Sequence, residues 1–341
     1  MEAGSKERFW AVVKWGLLAA TLVFLLILPR YIGEYYTNLT IKIYIMALLA
    51  CSFNLLLGYT GLLSFGQAAY FAVGAYACAL ILKLVVPSVV VAIPVAVLFS
   101  ALTALFFGYF CVRLTEIYFS MLTLAFGQII YTIAFKWESL TGGDNGIAGI
   151  PSPPLHLGVL TIDLSNAYHY YYFALALILA AVGLLYLIVN SPFGSTLKAI
   201  RDNPERASFT GQNVRLFQLI SFVLAGTFSG LAGAIFAPFE KFVSPELTYW
   251  SKSAEIVLIS ILGGIYTFVG PMVGSAVMIL LEDYISTYTS YWSIFLGMIL
   301  IVFVIFMPDG IVGRVNRVLY RIRFKQQIDA QSGQRTETGA P

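Results

Sequence analysis

The chain has 341 residues, of which 59% are hydrophobic and only 11% are charged. Soluble domains carry about 25% charged residues, so this composition excludes an ordinary soluble domain. An outer-membrane β-barrel is also excluded, because barrel strands alternate apolar and polar residues instead of forming long apolar runs. The net charge of +3 does not indicate a nucleic-acid-binding protein. We therefore predict an all-α polytopic protein of the lipid bilayer.

The apolar runs predict the membrane-spanning helices, since about 20 apolar residues are needed to cross the hydrocarbon core. The first run is predicted to be a retained helix, because no small-residue cleavage site follows it. After Trp250 the pattern changes, since several glycines and Pro271 interrupt the next run. The predicted segments are 9–28, 41–57, 67–86, 89–111, 117–135, 170–189, 216–238, 254–281 and 293–307.

The distribution of lysine and arginine predicts the topology, because these residues are enriched in cytoplasmic loops. They occur before the first segment, in the loop 190–215 and after residue 313. Cytoplasmic location of both termini requires an even number of crossings. The interrupted run 254–281 is therefore predicted to be two short spans or a re-entrant pair. This gives about ten transmembrane segments, some short or re-entrant, with both termini in the cytoplasm.

The same topology predicts one transmembrane domain over residues 1–313, followed by a basic, partly disordered cytoplasmic tail at 314–341. An extracytoplasmic loop is predicted at 136–169, and the loop 190–215 is predicted to be cytoplasmic. The Gly-rich stretch 141–154 lacks the Gly-Lys-Ser/Thr ending of a phosphate loop, and the chain contains no Walker motif. The chain is therefore predicted to bind no cofactor and not to hydrolyse ATP.

Two Gly-rich stretches indicate a possible internal repeat. Residues 57–66 resemble residues 262–270 when one gap is allowed. In a ten-segment topology the two halves would be inverted, and inverted repeats that meet at broken helices form the substrate sites of many transporters. Chance similarity between two Gly-rich apolar stretches is the alternative interpretation.

No set of residues predicts a catalytic or metal site. Charged side chains in the core of a membrane cost about 2.5–3.5 kcal/mol each on insertion scales, and the chain is predicted to avoid them. This absence argues against an ion-coupled carrier. The charged residues considered are all predicted to lie near helix ends: Lys83, Glu116, Lys136, Glu255, Glu282 and Asp283.

Small and neutral polar residues are the candidates for a translocation path. In the run 216–238, small residues recur every four positions, a pattern typical of tight helix packing and, as the alternative, of a narrow lining. Other neutral polar residues flank the Gly-rich stretches, and each of them could instead form hydrogen bonds between helices. The candidate path residues are Ser64, Gln67, Ser120, Thr123, Gln128, Ser229, Gly263 and Gly264.

The loop 190–215 is predicted to contain a short ordered helix. Asp202 or Asn203 can cap its N-terminus, Pro204 suits the first helical position, and Glu205 suits the positive end of the helix dipole. Gly211 is placed to end the helix in a left-handed conformation. An ordered, charged helix on one face of a membrane protein is predicted to contact a soluble partner. A solvated linker is the alternative.

Several blocks of sequence resemble the LivM-type permeases of branched-chain amino acid ABC importers. They follow the family's order and span nearly the whole chain from about residue 40. The blocks are GYTGLLSFGQAAYFAVGAY (58–76), IYFSMLTLAFGQ (117–128), TGGDNGI (141–147), FGSTLKAIRDNPERASFTGQNV (193–214), LGGIYTFVGPMVGS (262–275) and MPDGIVGR (307–314).

The resemblance implies a non-enzymatic permease subunit in a bacterial inner membrane. Its implied partners are a homologous LivH-type permease, two cytoplasmic subunits that bind ATP and Mg²⁺, and a periplasmic substrate-binding protein. The implied substrates are leucine, isoleucine and valine. Carried over by position, the residues implied to contact the ATP-binding subunits are Ala199, Ile200, Arg201, Asn203, Pro204, Glu205, Arg206 and Ala207.

Two alternatives remain at this point. The same class of importer also carries urea, amides or small aromatic acids. A stand-alone secondary carrier or channel for small polar solutes is a different class, which uptake driven by an ion gradient would identify.

Overall fold

The computed structural model describes residues 23–157 and 160–318. Short strands occur only as two small antiparallel pairs within these residues, β1 (Ile147–Ala148) with β4 (Phe242–Val243) and β2 (Leu155–Leu157) with β3 (Leu160–Ile162). The helices are α1 (Pro29–Asn54), α2 (Gln67–Leu80), α3 (Val89–Cys111), α4 (Glu116–Lys136), α5 (Glu138–Thr141), α6 (Ala167–Val189), α7 (Pro192–Asp202), α8 (Pro204–Phe209), α9 (Val214–Glu240), α10 (Trp250–Gly263), α11 (Gly270–Tyr288) and α12 (Trp292–Phe306).

The prediction of an all-α polytopic membrane protein is confirmed. A π-helical turn, Leu55–Thr60, extends α1, and another, Ile81–Val85, extends α2. With these extensions, and with the helical residues beyond α12, seven of the described helices are long and apolar enough to cross a membrane. The observed bounds of α3 are those predicted, and α4 extends the prediction by one residue at each end. Most of the predicted first helix, 9–28, lies outside the described residues. Residues 23–27 are helical, and α1 begins soon after them at Pro29. Within α1, Gly33 has a positive φ of 71°, which changes the direction of the helix.

Two ends of the bundle serve as reference points. The α7–α8 end carries α7 and α8, and Arg201 there donates a hydrogen bond to the carbonyl oxygen of Gly58 (2.6 Å), just past α1. The hairpin end carries the β2–β3 hairpin, and Lys83 there donates to the carbonyl oxygen of Ala148 (3.1 Å), just past α2. Hence α1 runs toward the α7–α8 end and α2 runs back.

The interrupted run 254–281 forms two antiparallel helices, α10 and α11. The turn between them lies at the α7–α8 end, where Asn54 donates to the carbonyl oxygen of Thr267 (3.2 Å). Near its other end, α11 reaches the hairpin end, where Tyr35 hydrogen-bonds to Asp283. With only 14 residues, α10 is about 21 Å long, shorter than the hydrocarbon core of about 30 Å. It therefore begins below the hairpin end of the bundle.

The predicted pairing of 57–66 with 262–270 as an inverted repeat is wrong. The two stretches meet at the same end, since a Cβ atom at Gly58 would collide with the carbonyl oxygen of Ile265. The helices before them, α1 and α10, also run in the same direction. Physically, glycines are needed at both stretches for close backbone approach, and this shared requirement produces the sequence similarity.

An inverted arrangement does exist, between other elements. The long helices α1 and α9 run in opposite directions, and an interruption follows each of them: residues 61–66 after the π-helical turn Leu55–Thr60 that extends α1, and residues 241–249, which include β4 and the 3₁₀ turn Pro245–Thr248, after α9. Each segment has a residue with positive φ, Gly61 (78°) in one and Lys241 (58°) in the other. The short antiparallel helices α2 and α10 follow these interruptions.

The small-residue pattern in α9 is confirmed as helix packing. Gly230 and Gly233 leave no room for a side chain, because Ser100 of α3 and the carbonyl oxygen of Phe71 in α2 occupy the space. The residues of the pattern, Ser221, Ala225, Ser229, Gly233 and Ala237, are all buried. Close contact among α2, α3 and α9 thus forms the centre of the bundle.

The predicted loop 136–169 is compact at the hairpin end. It contains α5, a 3₁₀ turn at Gly143–Asn145, β1 and the β2–β3 hairpin. β1 joins it to the segment after α9, with Ile147 opposite Val243. Beyond α12, residues 310–318 are helical, and the rest of the predicted tail, 319–341, lies outside the described residues.

Candidate functional site

The loop between α6 and α9 contains two helices, whereas one was predicted. The first helix, α7, begins after Ser191, whose hydroxyl accepts a hydrogen bond from the amide of Gly194 (3.5 Å). Leu197 of α7 is buried against the bundle, and Phe193 stacks on Phe217 of α9 with ring centroids 5.5 Å apart. A Ser-Pro start and an apolar i, i+4 pair signalled this helix in the sequence.

The predicted helix, α8, is confirmed. Asn203 caps it, with the side-chain oxygen accepting from the amide of Arg206 (2.8 Å). Pro204 occupies its first position, and Gly211 beyond it has a positive φ of 83°. Because Asn203 ends α7 and caps α8, the two helices form one continuous helical corner.

Arg201 connects this corner to the bundle. Besides donating to Gly58, its guanidinium donates to the carboxylate of Asp202 (2.9 and 3.1 Å) and lies 5.3 Å from the ring centroid of Tyr266. Its side chain is only 26% exposed. Arg201 was implied to contact a partner, but in this structure it links α7 to the end of α1 and to the α10–α11 turn.

The other residues implied to contact a partner divide into two groups. Ile200 and Ala207 are buried against the chain itself, so they support the corner from within. The exposed members are Ala199, Asn203, Pro204, Glu205 and Arg206.

Sequence reasoning missed Phe209 at the end of α8. Its side chain is 89% exposed, although a phenylalanine ring in a polar loop is normally covered. That mismatch between residue type and setting was the available signal. Phe209 adds an apolar contact to the charged surface formed by α8.

Four of the candidate path residues come together at the start of α2, in a group we call the polar junction: Ser64, Gln67, Ser120 and Thr123. Ser120 donates to the carbonyl oxygen of Leu63 (2.7 Å), and Thr123 accepts from the amide of Phe65 (3.1 Å). These bonds hold the non-helical segment 61–66 against α4.

The polar junction is also where α2 and α10 meet, N-terminus to N-terminus. The hydroxyl of Ser253 in α10 accepts from the amide of Ala68 in α2 (3.2 Å). Gln67 is 0% exposed, and neither its side-chain oxygen nor its nitrogen has a hydrogen-bond partner. A buried, unpaired amide costs about 1–3 kcal/mol, so Gln67 occupies this position at a cost to stability.

The remaining candidate path residues lie elsewhere. Gln128 is half-buried farther along α4, and Ser229 bonds to Ser52 of α1 (2.8 Å) within the helix packing. Gly263 and Gly264 lie at the α7–α8 end, where a Cβ at Gly263 would collide with the carbonyl oxygen of Gly270. These four residues do not join the polar junction.

Four charged residues on the side of the bundle toward the hairpin end form two ion pairs, and each of these side chains stays 23–39% exposed. Lys42 of α1 pairs with Glu282 of α11 (3.7 Å), and Lys252 pairs with Glu255 within α10 (2.8 Å). The sequence did not show this charged cluster, because Lys42 and Glu282 are far apart along the chain and α10 begins partway through the bundle.

Comparison with known proteins gives a consistent family. Residues 35–304 match the model of the family described as branched-chain amino acid transport system / permease component. The high-affinity branched-chain amino acid transport system permease protein LivM of Escherichia coli (strain K12) is 26% identical over 313 residues, covering 86% of this chain and 74% of that protein. The LivM protein of Salmonella typhimurium (strain LT2) is 25% identical over the same shares.

A more distant similarity covers part of the chain. A probable branched-chain amino acid transport permease protein LivH of Methanocaldococcus jannaschii is 27% identical over 150 residues, which is 40% of this chain and 45% of that protein. No solved structure matches the chain.

Proposed function

The chain belongs to the family of branched-chain amino acid transport system permease components, and we propose that it is the membrane-spanning permease subunit of an ATP-driven, binding-protein-dependent importer of leucine, isoleucine and valine. The observation that carries this proposal is the family match over most of the chain, together with the LivM relatives that cover 86% of it. No Walker motif occurs in the chain, so ATP hydrolysis is assigned to separate subunits.

In this proposal the chain forms one half of a pore in a bacterial inner membrane. A homologous LivH-type permease supplies the other half, two cytoplasmic subunits bind ATP and Mg²⁺, and an extracytoplasmic protein delivers the substrate. The chain crosses the membrane ten times, counting the segment 9–28 and the short helix α10. The α7–α8 end and both termini face the cytoplasm.

The coupling route runs through the helical corner. The exposed residues of α8, together with Phe209, meet an ATP-binding subunit, and movement of α8 carries α7 with it because Asn203 ends α7 and caps α8. Arg201 then pulls on Gly58 and Tyr266. The contacts of Arg201 support this route, since they join the corner to two separate membrane elements at once.

For the translocation path the polar junction is the best candidate. Gln67 lies fully buried where the N-termini of α2 and α10 converge. The partial positive charge of helix N-termini suits the carboxylate of an amino acid. Separation of α2 from α10 would expose Gln67 and give its amide the partners that it lacks.

Uptake into membrane vesicles tests the proposal. We expect leucine uptake to require ATP and the ATP-binding subunits, and to persist when ionophores collapse the ion gradients. Competition by isoleucine and valine, but not by urea, amides or aromatic acids, would establish the substrate class.

The charged cluster around Lys42 and Glu282 favours one second candidate, an ion-coupled carrier, because such carriers use charged groups inside the bundle. Uptake that follows the ion gradient and needs no ATPase would support the carrier and overturn the importer.

A further inference from the structure

A cavity of about 190 Å³ lies among α1, α2, α9 and α10, beside the interruption that follows α9. Three of its lining side chains are charged, Lys42, Glu240 and Lys252. These residues come from three different helices, so the fold gathers them around one space. Charges of both signs around one space suit a ligand that carries both a cationic and an anionic group.

The charged side chains on the cavity wall differ in whether they have an ion-pair partner. Lys42 and Lys252 each have a carboxylate partner, Glu282 and Glu255. Glu240 is exposed, and in the described part of the chain it makes neither an ion pair nor a side-chain hydrogen bond, so its carboxylate is free to bind a ligand. A carboxylate without a partner beside a cavity favours a cationic group. Each lysine has three donors, so it can bind a second anionic group while it keeps its carboxylate partner.

The remainder of the wall is apolar. Phe71 of α2 and Phe236 of α9 contribute rings whose centroids are 5.3 Å apart, and Leu247 closes the side below α9. A cavity of roughly 150 Å³ is enough to hold benzene, so this one has room for an aliphatic side chain with a small polar head.

A second cavity, of about 300 Å³, adjoins the first at the hairpin end. Its lining includes Glu34, Asn38 and Lys241, and Glu240 borders both cavities. The two cavities thus share Glu240, and the larger one lies nearer the β2–β3 hairpin.

We propose that the smaller cavity is a binding site for a zwitterionic aliphatic amino acid. Glu240 binds the ammonium group, Lys42 and Lys252 bind the carboxylate, and the side chain contacts Phe71, Phe236 and Leu247. This inference rests on the proposed function and assigns to the chain itself a site that recognises the substrate before the polar junction.

The test measures binding of radiolabelled leucine to the full chain in lipid nanodiscs. Glu240→Gln removes the negative charge at nearly constant shape, and we expect affinity to fall by roughly tenfold or more, the effect of losing a charge-assisted hydrogen bond. Glu34→Gln is the matched control, because Glu34 borders only the larger cavity. Its affinity should stay within about twofold of the unaltered chain.

Leu247→Trp gives a second test, since the larger ring fills the cavity without altering any charge. We expect it to abolish leucine binding while the protein keeps its elution volume in size-exclusion chromatography. Unchanged affinity in both Glu240→Gln and Leu247→Trp would overturn the proposal. Displacement of leucine by ethanolamine lipid would assign the cavity to a lipid headgroup and would also overturn it.

ATP-driven uptake by the complete importer distinguishes a failure of the proposed binding site from a failure of the proposed function. Normal leucine uptake by the unaltered importer and by Glu240→Gln would reject the cavity and leave the proposed function intact. Absence of any branched-chain amino acid uptake by the unaltered importer would reject the function itself.

Discussion

The two ends of the bundle are held together by different kinds of contact. At the α7–α8 end, backbone packs on backbone: a Cβ at Gly263 would collide with the carbonyl oxygen of Gly270, and one at Gly310 would lie 2.5 Å from the backbone of Gly264. At the hairpin end, side chains surround two cavities. Backbone contacts cannot adjust by changing rotamers. The α7–α8 end is therefore suited to move as one unit, and the hairpin end is suited to adapt to a ligand.

The largest effect is expected where a side chain is forced into the backbone contacts. Gly263→Ala should destabilise the protein by about 3 kcal/mol or more, because overpacking against a fixed carbonyl cannot relax. Thermal unfolding followed by size-exclusion chromatography measures it. Gly183→Ala in α6 is the matched control, since nothing lies within 4 Å of a Cβ there. Equal unfolding temperatures for the two variants would contradict the conclusion that close backbone contacts hold the α7–α8 end together.

Substitution of Arg201 tests whether movement of the helical corner is transmitted to Gly58 and Tyr266. Arg201→Gln should lower ATP-driven uptake by about tenfold or more, since a hydrogen bond from a charged group contributes about 1.5–3 kcal/mol. Co-purification with the ATP-binding subunits should persist. Arg206→Gln, on the exposed face of α8, should show the reverse pattern, with weaker co-purification. If both variants lose the ATP-binding subunits equally, Arg201 is a contact residue and the coupling route is wrong.

A smaller effect is expected at the exposed ring of Phe209. Phe209→Ser should change the stability of the isolated chain by no more than about 0.5 kcal/mol, as is usual for surface substitutions. Its association with the ATP-binding subunits should weaken by more than about 1 kcal/mol, because buried aromatic anchors dominate interfaces. Titration of the purified subunits measures the difference. Unchanged association would show that Phe209 lies outside the contact.

The smallest effect is expected at the hairpin end. Lys83→Met removes the bond to the carbonyl oxygen of Ala148, which is exposed and worth about 0.5 kcal/mol. Lys136→Met is the control, since Lys136 makes no side-chain hydrogen bond or ion pair within the described residues. A loss of stability in Lys83→Met comparable with that of Gly263→Ala would contradict the difference between the two ends.

Much of the helical framework could be predicted from the sequence, because local signals determine it. Continuous apolar runs located α3 and α4 to within one residue, and the Asn203-Pro204 pair located α8. Small residues at four-residue intervals predicted the packing face of α9. Each of these features depends on neighbours within about two helical turns.

The rest depends on contacts between distant segments. The pairing of Lys42 with Glu282 joins residues 240 positions apart, and α10 carries Lys252 into the bundle only because the chain leaves α9 early. That departure occurs at Lys241, which adopts a positive φ without being glycine and so gives no signal in the sequence. The cavity that Lys42 and Lys252 line could therefore not be predicted from the sequence.

The shortness of α10 also has a consequence for how the chain is made. A helix of about 21 Å that carries Lys252 and Glu255 is a poor substrate for the translocon, because charged residues within the core oppose insertion by about 2.5–3.5 kcal/mol. We expect α10 to remain outside the bilayer until α11 has been synthesised. The two helices then enter together as a hairpin, with α1 supplying Lys42 as the partner of Glu282. Synthesis of the last quarter of the chain therefore completes the cavity, and a nascent chain that ends after Gly263 should lack it.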